Sequence, residues 1–163
     1  MLTKILNLFA LVFGLTLFLF LTFIFYSNAS KKLTEYSQID SNVLEKGIIK
    51  TDNNSKIFFI KVSNFNEDFA VYNMTKNYSK LENEIRIGDK IKIYFENSNP
   101  KKNEYLDVIQ IEKGKEILVS HNKHKITYYF LTLLSSLVFI YIILMVIEYL
   151  KYGEFKKPIP TIF

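Results

Sequence analysis

Two histidines, His121 and His124, are the only imidazoles in the chain. Any chemistry that needs a neutral-pH base or a nitrogen ligand therefore rests on them. Their three-residue spacing places both on one face if His-Asn-Lys-His is helical, where they could share a metal ion. Zinc needs one or two more ligands, and the nearest carboxylate in sequence is Glu116. The competing reading is a solvated linker carrying interfacial histidines, and it is the favoured one. A hydrolase triad would further require a nucleophile beside the imidazole, for which no signature exists. There is no cysteine, which removes disulfides, thiolate catalysis and cysteine-ligated metals.

Other reactive groups are as sparsely arranged. Carboxylates occur as Glu67-Asp68, Glu82-x-Glu84 and Glu112-x-x-x-Glu116, in turns or at strand ends, where solvated charge is ordinary. General acid catalysis needs burial or a close charge to move a carboxyl pKa, and neither is visible. Phosphate-cradling loops need clustered glycines; the five here (Gly14, Gly47, Gly88, Gly114, Gly153) lie far apart. Lys90, Lys92 and Tyr94 alternate along one strand face and mix cations with an aromatic, as single-strand binders do. Alternating lysines also keep a sheet face soluble, and a formal net charge of +5 is far from a clustered basic patch. The expectation is no catalytic residue, no cofactor and no nucleic-acid partner.

The elements that position these groups are dominated by two apolar runs. Ile5 to Tyr26 and Ile126 to Ile147 each extend 22 residues without a charge. As helices each reaches about 33 Å at ~1.5 Å per residue, enough to cross a hydrocarbon core of ~30 Å. The first has signal-peptide features, with Lys4 ahead of it and Ser27-Asn28-Ala29 after it. Its length exceeds a signal core of about 7–15 residues, so a retained helix is expected. Ala10 and Gly14, and Thr132 and Ser136 with Ser135 adjacent, are small residues four apart that favour close helix packing, within one chain or in a homo-oligomer. The alternative for the hydroxyls is a bond to their own helix four residues back. Tyr26, Tyr128 and Tyr129 fall at one expected membrane interface, and Tyr149 and Tyr152 at the other.

Between the runs the period changes to two. Val43 to Thr51 and Lys56 to Ser63 read as a hairpin about Asp52–Ser55, and Phe69 to Asn73 as a short strand. Met74 to Glu84, with Tyr78 and Leu81, holds a helical turn or a loop. Lys90 to Phe95 is the clearest strand, with Ile91, Ile93 and Phe95 on one face and Lys90, Lys92 and Tyr94 on the other. After the turn Glu96–Asn103 come Tyr105 to Glu112 and Glu116 to Ser120, joined by a tight turn at Gly114. The expected fold is a membrane-anchored α+β protein, two transmembrane helices flanking a small antiparallel β barrel or sandwich of OB-like or SH3-like type. Its segments are an N-terminus (1–4), a helix (5–26), a linker (27–38), the β domain (39–125), a helix (126–148) and a basic tail (149–163).

The layout resembles a bacterial family of two-helix membrane proteins of unknown function. That family carries a Gly-x-x-Val-x-Val-x-Tyr run leading into a proline turn. The matching stretch is Gly88-Asp89-Lys90-Ile91-Lys92-Ile93-Tyr94-Phe95, with Pro100 beyond it. In the family the second helix usually follows soon after, whereas here residues 104–120 add a hairpin. The resemblance implies a membrane location and no catalytic residues.

Long loops translocate largely regardless of charge, so the short ends with Lys4, Lys151, Lys156 and Lys157 set the orientation. Both termini are expected in the cytoplasm and the β domain outside. The expected function is non-enzymatic: the domain is presented at the bilayer to a protein or envelope component. The rival is a membrane enzyme or transporter accessory using His121 and His124.

Overall fold

Two long apolar helices flank an antiparallel six-stranded sheet. The computed structural model describes residues 2–50, 56–72, 77–96 and 105–153. The expected turns at 52–55 and 97–103, residues 73–76, and the tail from 154 with Lys156 and Lys157 lie outside the described residues. The described chain runs α1 (Leu2–Ser30), a 3-10 turn (Leu33–Glu35), β1 (Ser37–Lys50), β2 (Lys56–Val62), β3 (Phe69–Val71), α2 (Ser79–Glu84), β4 (Lys90–Phe95), β5 (Leu106–Lys113), β6 (Glu116–Val119) and α3 (His121–Tyr152). It forms two compact units, Met1–Lys31 with Lys125–Phe163, and Lys32–His124.

In the helical unit, α1 and α3 are long and apolar enough to cross a membrane. Only 6 % of the most apolar 18-residue stretch of each is buried. They run in opposite directions, since successive contacts pair rising α1 numbers with falling α3 numbers. A Cβ on Gly14 would meet Ile142 Cδ1 at 3.3 Å. Thr22 Oγ1 lies 3.0 Å from Ser135 Oγ, and the Phe25 and Tyr128 rings are 6.4 Å apart. Gly14 thus faces Ile142, whereas Ala10, expected beside it on the packing face, is exposed and the adjacent Leu11 is buried. Ala10 lies one residue off the contact stripe of a 3.6-period helix. On α3 the cross-helix hydroxyl is the buried Ser135. Thr132 instead donates to its own helix at the Tyr128 carbonyl, 2.8 Å away, and Ser136 is half-buried.

The β unit starts earlier in sequence than its alternation suggested. Residues 37 and 38, expected as linker, and 39–42, expected in the β domain but ahead of its first strand, form the first half of β1 and pair with β4, while the second half pairs with β2. The register steps at Leu44: Val43 faces Val62, but Glu45 faces Lys61. Leu44 is the extra residue of a bulge and is 52 % exposed. That bulge bends β1 so that one strand serves two neighbours. The turn before β4 hooks onto it, with Val43 N–H donating to the Asp89 carbonyl (2.9 Å) and Gly88 N–H to the Val43 carbonyl (2.8 Å). Gly88 has φ +88°, which L side chains adopt only with strain. Asp89 closes the turn by accepting Arg86 N–H at 2.7 Å, and it also accepts Lys113 Nζ at 2.5 Å. The Lys113 bond, then the Arg86 amide, hold its carboxyl below the ordinary range.

The three residues of β3 are all buried. They pair antiparallel with β2 and also parallel with β5, Phe69 opposite Leu106 and Ala70 opposite Asp107. The strand order is β3-β2-β1-β4-β5-β6, with the β3–β5 pairing in addition. Ile91, Ile93 and Phe95 point inward as their alternation requires, onto a core with Phe58, Ile60 and Phe69. Phe69 stacks on Phe65 (5.2 Å) and meets Phe95 edge-on (5.1 Å). α2 plugs one side with Leu81. The Tyr78 ring stacks on Phe58 at 6.1 Å, and its hydroxyl donates to the Lys56 carbonyl at 3.0 Å.

Candidate functional site

The histidine segment is helical, being the first turn of α3. Its capping explains why a polar run with no apolar periodicity begins a helix. Asn122 N–H donates to Ser120 Oγ at 3.3 Å, and His121 N–H to Gln110 Oε1 at 3.2 Å. Gln110 is itself buried and donates through Nε2 to Glu112 Oε1 at 2.5 Å. A side chain of β5 therefore satisfies one of the first amides, which a helix leaves without an internal partner.

His121 is buried at 6 % exposure, and His124 is half-buried. Their ring centroids are 6.4 Å apart. Tyr36 presents edge contacts to both, at 5.3 Å and 6.5 Å. Tyr36 belongs to a second, smaller core with Tyr94 and Ile109, against which Leu33 packs. The spacing thus brings the two imidazoles to one face, as expected of a helix, and an aromatic ring covers that face. Glu116, the nearest carboxylate in sequence, instead lies 3.4 Å from Lys80. No three His, Asp or Glu side chains converge on a cation position among the described residues.

The lysine stripe on β4 also differs from the outward face expected of it. Lys90 is exposed and Lys92 half-buried, but Tyr94 is buried in the Tyr36 cluster. Lys92 Nζ sits 5.0 Å from the centre of the Tyr94 ring. A ring held by the core and a cation is not offered for base stacking. Two-fold alternation located the face correctly but carried no signal that a second layer, Leu33 and Tyr36, would cover it.

A cavity of about 420 Å³ opens beside the first turn of α3. Its apolar lining is Val71, Leu81, Val108, Leu118 and Val119, and its polar lining is Tyr72, Asn77, Ser79, Ser120 and His124. Lys80 and Lys123 add two ammonium groups, and no carboxylate lines it among the described residues. Sequence reasoning missed it, because its walls come from β3, α2, β5, β6 and α3 and meet only after folding. The remaining distinctive group is Asp107. Desolvation, with repulsion from Glu96 second, pushes its carboxyl up to about 6. The side chain still reaches solvent, so it is better read as a crowded surface acid than as a catalytic one.

No family model matches this chain, and no curated protein or solved structure matches it either.

Proposed function

We propose that this chain is a two-span membrane protein that presents a small, non-enzymatic β barrel to a protein or envelope component outside the cytoplasm. The observation that carries the reading is the apolar surface of α1 and α3. Each helix is long enough to span a bilayer and leaves nearly all of its most apolar stretch uncovered. Phe9, Phe13, Phe20 and Phe23 on α1, and Phe130, Leu133, Leu137 and Leu144 on α3, are all exposed. Water does not tolerate an apolar surface of that size on a monomer, whereas lipid does.

The strand pairings support a barrel of OB-like type. Following them gives the cycle β1-β2-β3-β5-β4 and back to β1, with α2 between β3 and β4. A closed cycle removes the exposed edges that an open five-stranded sheet must protect. The long segment between the spans translocates regardless of its lysines, so the short basic ends stay in the cytoplasm. The non-enzymatic reading is supported by the tyrosine-covered histidines and by the Lys80–Glu116 pair, which engages the nearest acid.

Alkaline extraction of membranes tests the anchoring: the chain should stay in the pellet with lipid. Proteolysis of spheroplasts should digest the β domain and spare the terminal segments. A protein released by alkali, or a β domain protected in spheroplasts, contradicts the reading. Crosslinking through the β domain in intact membranes should yield a discrete adduct, and repeated absence of one removes the presentation role.

A further inference from the structure

We infer that the short seam between β3 and β5 is an acid-tightened latch, which holds the strand cycle closed in mild acid and opens more readily at neutral pH. The inference rests on the closed cycle of strands read above. The seam is only two residue pairs long, Phe69 opposite Leu106 and Ala70 opposite Asp107. Parallel pairs are slightly weaker than antiparallel ones, so little backbone bonding resists an opposing force there. Three acids meet at this seam. Leu106 N–H donates to the Asp68 carbonyl at 2.9 Å, and Glu96 N–H to the Asp107 carbonyl at 3.1 Å. Folding thus sets Asp68, just before β3, and Glu96, just after β4, on either side of β5 at Leu106 and Asp107. Glu67 and Tyr105 adjoin the three in sequence.

Little at the seam offsets that concentration of negative charge. Asp68 Oδ1 is buried and has no hydrogen-bond partner among the described residues. Desolvation, then Glu96, raises the Asp107 carboxyl to about 6, and no cation among the described residues draws it down. The Asp107 side chain reaches solvent, so its proton exchanges without unfolding. Protonation removes one negative charge from the seam. The closed form holds that proton more tightly than the open form, so closure is strongest below about 4, weakens as pH rises to about 6 and is level above. With 3.8 for the open form and about 6 for the closed one, opening becomes about tenfold more favourable between pH 5 and 7.5. Screening by solvent makes that an upper bound. Opening bares the facing edges of β3 and β5, with Phe69 behind them.

Amide hydrogen exchange of the full chain in mild detergent, read by NMR and corrected for the intrinsic rate at each pH, tests the latch. Protection of the Leu106 N–H should fall between twofold and tenfold from pH 5 to 7.5. The Val43 N–H, which donates to the Asp89 carbonyl away from the seam, is the internal reference and should change less than twofold. Asp107→Asn should abolish the fall at Leu106. Asp40→Asn, at an exposed acid of β1, should leave it in place. Protection of Val43 in each variant keeps a folding defect from passing as a lost latch. A Leu106 amide without protection at either pH removes the strand cycle itself, and the latch with it. A protected amide that changes less than twofold, that falls equally in Asp107→Asn, or that Val43 follows, leaves the cycle standing and overturns the latch alone.

Discussion

Replacing Phe69 by alanine is the sharpest perturbation of the β unit. Phe69 is fully buried and sits on the strand that pairs with both β2 and β5. Its ring contacts Phe65 at 5.2 Å and Phe95 at 5.1 Å. Removing a buried phenyl ring costs the transfer energy plus the cavity left behind, about 3–5 kcal/mol. Against a total stability of about 5–15 kcal/mol, that is about a fifth of the fold or more. For a unit of this size each kcal/mol moves the midpoint by about 4–8 °C, so Tm should fall by at least ~12 °C. Thermal pulse proteolysis of the full chain in mild detergent reads the β unit without needing the apolar helices to unfold. Tyr72→Ala is the control: that ring is 57 % exposed and one residue beyond β3, so its removal should stay within about 0.5 kcal/mol. If Phe69→Ala lowers Tm by less than ~4 °C, close to the Tyr72→Ala value, β3 does not close the strand cycle and the packing argument is wrong.

Other substitutions probe separate links. Gly88→Ala forces a side chain onto φ +88° and should cost about 1–2 kcal/mol in the same assay; a neutral result would mean the turn does not hold β1 at its bulge. A Thr22→Val and Ser135→Ala double-mutant cycle should give a coupling of about 0.6 kcal/mol for helix association in detergent; zero coupling would assign both hydroxyls to their own helices. Asp107 has a folded-state pKa of about 6 against an ordinary 3.8. Because the folded chain holds that proton more tightly, stability declines as pH rises from about 4 to 6 and is then level. Asp107→Asn should therefore stabilise at pH 7 and be neutral near pH 4, by a small amount because the side chain reaches solvent. A carbon-13 titration of the Asp107 carboxyl with a midpoint near 3.8 would exclude that behaviour.

Strong period-two alternation was legible in this chain. Lys90–Phe95 forms the strand its pattern demanded, the strands either side of Gly114 pair, and β1 pairs antiparallel with β2 as the 43–63 hairpin requires. What alternation could not show was structure imposed by a neighbour. Ser37–Asn42 has little intrinsic preference for a strand and becomes one because β4 pairs with it. Tyr94 alternates outward yet is buried, because Tyr36 and Leu33, distant in sequence, cover that face. The start of α3 was hidden for the same reason, since one of its amide partners is a glutamine on β5. In the helical unit, residue size identified Gly14, but helical phase decided between Ala10 and Leu11, and between Thr132 and Ser135. The candidate cavity left no trace in the sequence.

The central claim is that two spans hold the β domain outside the cytoplasm, and the absence of cysteine makes it directly measurable. Single cysteines at Lys61 in β2 and at Lys151 near the end of α3 can be treated with a membrane-impermeant maleimide, before and after cells are opened. The account predicts that Lys61→Cys labels fully in intact cells and that Lys151→Cys labels only after lysis. Labelling of Lys151→Cys in intact cells, or protection of Lys61→Cys until lysis, would contradict it.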